Sequence, residues 1–173
     1  MTTTAGASER GELDQLLREG LKNQYHAALR LLQQAVERCP EHEWTNGDPG
    51  FWQVAYHTAF YTHLYLQPNL AAFRPWEHAR QEDHFLGALP EPPHRPPRLG
   101  EPYAKAQVLE YVSQCRGMVD AAVDVLDLTA RDPGFPWYKM SKVEHQIHNI
   151  RHIEHHTIYL SARLRLIGGK GVD

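Results

Sequence analysis

Apolar positions recur at alternating steps of four and three through much of this chain, the period of helices that pack one face against their neighbours. Between Glu9 and Cys39 the pattern runs through Leu17, Leu21, Gln24, Ala28, Leu31 and Ala35, with Pro40 as its stop. This predicts a first long helix. The turn cluster TNGDPG, Thr45 to Gly50, leads into FWQVAYHTAFYTHLYL, Phe51 to Leu66, where Val54, His57, Phe60, Tyr61 and Leu64 share one face of a second helix. From about Tyr103 to Leu128 the alternation continues through Ala104, Val108, Tyr111, Cys115, Met118, Ala122 and Val125, predicting a third. RDPGFPW separates it from a fourth, which Ser141 caps and which extends to Leu166 before GGKG ends it.

No segment alternates with period two, so the expected fold class is all-α. The stretch 67–102 holds most of the prolines and no helical period beyond a short turn in PWEHARQEDHFLGAL. A connection of that length between the second and third helices permits a four-helix bundle with a long crossover rather than simple up-and-down order. With 173 residues the chain fits one domain, residues 1–173, of which residues 1–8 are expected to be disordered.

Composition narrows the function classes. A formal charge of -3, from 18 basic and 21 acidic residues, offers no electrostatic footprint for nucleic acid or an anionic membrane. No leader pattern and no spanning segment are visible, so a cytoplasmic, soluble protein acting on a small-molecule substrate is expected. Cys39 and Cys115 are too far apart for a metal knuckle or a CxxC redox pair, and neither has an activating partner in view. Twelve histidines against two cysteines is the unusual balance.

The histidines concentrate in RHIEHHTIYL, Arg151 to Leu160. At about 100° per residue, His152 and His156 lie roughly 20° either side of His145, on the inward face with Leu160, whereas His155 turns toward the rim. In the second helix His57 points inward and His63, about 240° further round, points outward. His57, His152 and His156 thus form a candidate site for a divalent transition metal, since neutral imidazole suits zinc, nickel, copper or ferrous iron, and three protein ligands leave one position open. Buried, hydrogen-bonded core histidines are the plain alternative. HIEHH is not a zincin motif, because Glu154 follows His152 by two residues rather than one, and the helices carry no Glu-x-x-His pair of the di-iron type.

Around this site the candidate wall groups are Trp52, Tyr61, Trp76, Trp137, Tyr138 and Tyr159, with His148 as a proton carrier. Gln24, read as an inner position of the first helix, is a candidate to orient an imidazole or a ligand. Cys115 reads as a small core residue.

The helix order, WQVAYH ending in His57, and NIRHIEHH with its HxxxH pair resemble the DinB-like metal-binding four-helix bundles, which include YfiT-type proteins and thiol-dependent transferases. The resemblance covers nearly the whole chain. It implies that His57, His152 and His156 are the metal triad, with zinc or nickel as the ion, and that the crossover joins the second and third helices. It also implies a metal-dependent S-transferase using a low-molecular-weight thiol cosubstrate such as bacillithiol, mycothiol or glutathione. Homodimerisation through an exposed helical face is common in similar proteins, and the polar-rich first helix offers the surface. The chain departs from many members just after the pair, where TIYL stands in place of a small residue and glutamine. From the residues alone, a metal-dependent hydrolase and a non-catalytic metal-binding module remain open alternatives.

Overall fold

Pro40 has no amide hydrogen to continue a helical ladder, and it ends α1, which runs Thr3–Arg38 in the computed structural model. The structure describes residues 3–168. Among these are five α-helices and no strand: α1, a single turn α2 (Glu41–Trp44), α3 (Phe51–Tyr65), α4 (Lys105–Val125) and α5 (Lys142–Gly168), with a 3-10 turn at Leu70–Ala72. The all-α expectation holds. α1 begins earlier than expected, so residues 3–8, read as disordered, lie within the helix.

Cross-links fix the directions of the long helices. Arg18 donates to the carbonyls of Val123 and Leu126, and Lys22 pairs with Asp124. Further along α1, His26 reaches Asp120, and near its end Lys105 donates to the Cys39 carbonyl. α1 and α4 are therefore antiparallel, with the Arg18 guanidinium satisfying carbonyls at the end of α4 where the helix dipole is negative. α3 and α5 are likewise antiparallel, since Tyr65 packs on His145 while His57 meets His152 and His156. α3 and α4 run the same way, with Tyr56 beside Tyr103 and Cys115 donating to the Ala59 carbonyl. The segment between them returns the chain along the length of α3.

That return is ordered by charge. Asp83, 1% exposed, binds the Arg80 guanidinium and accepts from the Gly100 amide, while Glu82 takes the Arg95 guanidinium in a two-bonded fork. Its aromatic members enter the core, Trp76 lying flat on Tyr111 with centroids 4.5 Å apart. The stretch from Pro75 to Leu89 makes isolated turns, at Trp76 and Glu82, rather than a helix. Because this segment covers α3, nearly all of α3 is buried. His63, expected to face outward, is 5% exposed: Phe73 packs on its ring and the Tyr111 hydroxyl lies 3.0 Å from its Nδ1.

A polar network crosses the core between α1, α3 and α5. The Tyr25 hydroxyl donates to Gln146 Oε1 at 2.7 Å and accepts from Asn149 Nδ2 at 3.0 Å, and Gln146 Nε2 donates to the Tyr65 carbonyl at 3.1 Å. Burial pushes the Tyr25 hydroxyl well above its ordinary range, so it stays protonated. The inner polar position of α1 is thus Tyr25 and not Gln24, which is exposed. Leu31 is also exposed, whereas Leu29 and Leu32 are fully buried. The buried face of α1 keeps the predicted Leu21, Ala28 and Ala35 and widens to Tyr25, Leu29, Leu32 and Val36, because the helix is shared between α4 and α5, both packed against it.

Candidate metal centre

α3 and α5 cross with His57 opposite the i, i+4 pair His152 and His156, and one ring nitrogen of each histidine lies within 4.8 Å of the others. Nε2 of His57 is 3.0 Å from Nε2 of His152. Bonds of about 2.0–2.1 Å meeting at a tetrahedral angle separate two nitrogens by about 3.3 Å, so the cluster is near the spacing a shared ion imposes.

His57 is held from both ends. Its Nδ1–H donates to the His84 carbonyl at 2.6 Å, which leaves the Nε2 lone pair aimed at the cluster. The carbonyl is in place because Gln53, one turn before His57, donates to the next carbonyl, that of Phe85, at 2.8 Å. Residues 53 and 57 of α3 thus grip consecutive peptide groups of the returning segment. His152 Nε2–H is then the donor between the two rings, and coordination through that nitrogen would move its proton to the buried Nδ1, which has no hydrogen-bond partner.

All three imidazoles are neutral. Burial, then the neighbouring His156, lowers His57 to about 3; burial, then His57 and His156, lowers His152 to about 2; burial, then His155, lowers His156 to about 4. Each ring therefore offers a lone pair at neutral pH without losing a proton first. The donor set, three neutral nitrogens on two rigid helices, fits a divalent cation with an open position.

Beside the cluster is a cavity of about 250 Å³ lined by His57, His152, Tyr61, Tyr65 and Tyr138. Tyr61 stands 4.7 Å from the His57 ring and 5.7 Å from that of His152. From Tyr65 a hydroxyl chain leads away, Tyr65 to Tyr138 at 3.3 Å and Tyr138 to Nε2 of His148 at 3.0 Å. His148 then opens on a groove shared with Arg151, His152 and His155. Burial, then Arg151, lowers the His148 pKa, and its Nε2 shares a hydrogen bond with the Tyr138 hydroxyl.

The other candidates divide. Tyr61, Tyr138 and His148 reach the site, and His155 is exposed as expected. Gln24 sits on the outside of α1 beside Leu21 and Ile150, in a groove that none of the three imidazoles lines, and Tyr159 is 44% exposed against Arg163. Trp52 and Trp76 belong to the aromatic core around Tyr103, and Cys115 is a buried core residue. Two site members escaped the sequence reading. Tyr65 continues the four-residue stripe His57, Tyr61, Tyr65 and was legible from spacing; His84 lies in a segment without period and was not.

No helix among the described residues is long and apolar enough to cross a membrane. Compared with family models, curated proteins and solved structures, the chain has no match.

Proposed function

We propose that this chain is a metal-binding four-helix bundle of the DinB-like kind, with its crossover between α3 and α4, and that it is a thiol-dependent S-transferase working at His57, His152 and His156 with zinc or nickel. The observation that carries the reading is the convergence of three neutral imidazole nitrogens from two helices within 4.8 Å beside a cavity. The resemblance of WQVAYH and NIRHIEHH to the family motifs supports the thiol chemistry, and the common direction of α3 and α4 supports the crossover.

In this reading the three histidines hold the ion, and the His84 carbonyl keeps His57 in the tautomer that binds through Nε2. When bound, the ion supplies positive charge that lowers the pKa of a thiol brought to it. Tyr61 and Tyr65 wall the space in which thiol and electrophile meet. The thiol sulfur forms its bond to the electrophilic carbon as the bond to the leaving group breaks, and the thiol proton passes to solvent. Tyr138 and His148 line a hydrogen-bonded route outward for it. A second copy of the chain on an exposed helical face belongs to the same proposal.

The test is turnover of an electrophile with bacillithiol, mycothiol or glutathione, using protein loaded with zinc or nickel and protein stripped by chelation. Thiol consumption that disappears on stripping and returns with the ion is expected. Equal product without thiol would move the assignment to a hydrolase, and turnover unaffected by chelation would overturn the metal site as the centre of the chemistry.

A further inference from the structure

A second cavity, of about 440 Å³, lies between α3 and the returning segment and is walled by Phe60, Leu64, Leu70, Phe73, Phe85 and Trp137, together with His84, Pro90 and the rings of Tyr61 and Tyr65. No Asp, Glu, Lys or Arg lines it. Tyr61 and Tyr65 also line the smaller cavity containing His57 and His152, so the two spaces share these side chains as walls. Its rim is apolar surface left in contact with solvent: Trp137 is 51% exposed and Leu70 is 41% exposed. Exposed aromatic and aliphatic groups gathered around one concavity mark a place that a ligand covers.

Hydrogen bonds between the α4–α5 loop, α3 and the returning segment hold the walls in place. Gly134, at φ +83, lets the α4–α5 loop press on the returning segment, where a β carbon would come within 2.7 Å of the Pro68 carbonyl oxygen. The amide of Leu70 donates to the Gly134 carbonyl at 3.0 Å, and the Trp137 indole N–H donates to the Tyr65 hydroxyl at 3.4 Å. Trp137 is thereby set as one wall and Leu70 as another, with Phe60 and Phe73 meeting edge to face at 5.5 Å behind them.

We infer that this cavity binds the uncharged, planar aromatic body of a small-molecule substrate, whose reactive end reaches past Tyr61 and Tyr65 to the histidine cluster. Flat apolar walls favour a ring system of bicyclic size, and the lack of a fixed charge in the lining disfavours ionic groups there. The inference rests on the proposed metal-dependent function for what happens at the reactive end, but binding in the cavity is measurable without it.

The experiment is a fluorescence titration of the metal-free full chain with N-phenyl-1-naphthylamine, an uncharged aromatic probe. Saturable binding at one site is expected. Trp137→Ala, which removes a half-exposed wall, should weaken binding about five- to tenfold, and Leu70→Arg, which places a charge at the rim, about tenfold or more. Leu166→Ala, on an exposed residue of α5, should leave it within twofold. Cupric ion bound at the histidines should quench the seated probe, and His152→Ala should remove the quenching without weakening the probe. Non-saturable binding, or Trp137→Ala and Leu70→Arg both within twofold of wild type while melting normally, would overturn the inference. Failure of the wild-type chain to take up any ion would instead sink the metal reading, since the metal-free titration reports on the cavity alone.

Discussion

Replacing His152 by alanine removes the imidazole that stands 3.0 Å from His57 and leaves two rings where three converged. In the wild type the three rings are already neutral and already placed, so an ion displaces no protons at neutral pH and reorganises little of the fold. An ion that binds only the folded state stabilises it by about 2.7 kcal/mol at a free concentration a hundred times Kd. For a domain of this size each kcal/mol moves Tm by about 2–4 °C, which predicts a rise of about 5–11 °C. His152→Ala should bind at least about a hundredfold more weakly, a loss of about 2.7 kcal/mol that cancels nearly all of the rise at the same zinc concentration. The assay is differential scanning calorimetry of chelator-treated protein with and without zinc, paired with isothermal titration. A wild-type Tm that zinc does not move, or a His152→Ala variant that keeps the full rise, would refute the reasoning.

Acid should destabilise the fold through its buried histidines. His145, fully buried against Tyr65 and Phe135, is lowered to about 4, first by burial and then by Lys142 and His148. Because the unfolded chain binds that proton first, its contribution is intact above about pH 6.5 and is lost as pH falls toward 4, at up to about 1.4 kcal/mol per pH unit; His145→Phe should flatten this slope by about one proton in urea melts between pH 7 and 5. Tyr25→Phe strips Gln146 Oε1 of its donor and leaves Asn149 Nδ2 only the longer bond to the Thr62 carbonyl, and should cost about 1–3 kcal/mol by the shift in urea midpoint. Gly134→Ala forces a β carbon against Pro68 and an alanine into a positive φ, so a loss of at least about 1–2 kcal/mol, read as a lower Tm, is expected.

The sequence by itself determined the helices and the histidine pairing, because both depend on periods shorter than a few turns. Steps of four and three placed the long helices near their observed bounds, Pro40 stopped α1, and Ser141 caps α5 through its hydroxyl to the Glu144 amide. HxxxH puts two imidazoles on one face of any helix, and the inward reading of His57 needed only the apolar stripe around it. What failed was rotation. In α4 the buried residues follow Tyr111, Cys115, Val119 and Val123 at steps of four, so the predicted end of the seam, Val125, is 74% exposed. A straight helix turns 3.6 residues per cycle and drifts away from a 3.5-residue stripe. In α1 the predicted Leu21, Ala28 and Ala35 are buried, but packing against both α4 and α5 also takes in Tyr25 and leaves Gln24 outside.

Only the tertiary structure decided which surfaces are covered. His63 is buried by Phe73 and Tyr111, residues 10 and 48 positions away, and His57 is oriented by the carbonyl of His84 across a segment with no period to read. Local spacing specifies which side chains share a face; it carries no information about which distant segment comes to rest on that face, because that choice is made by charge pairs and aromatic packing between parts of the chain far apart in sequence. The convergence of α3 and α5 that turns a pair of histidines into three around one point is a choice of the same kind.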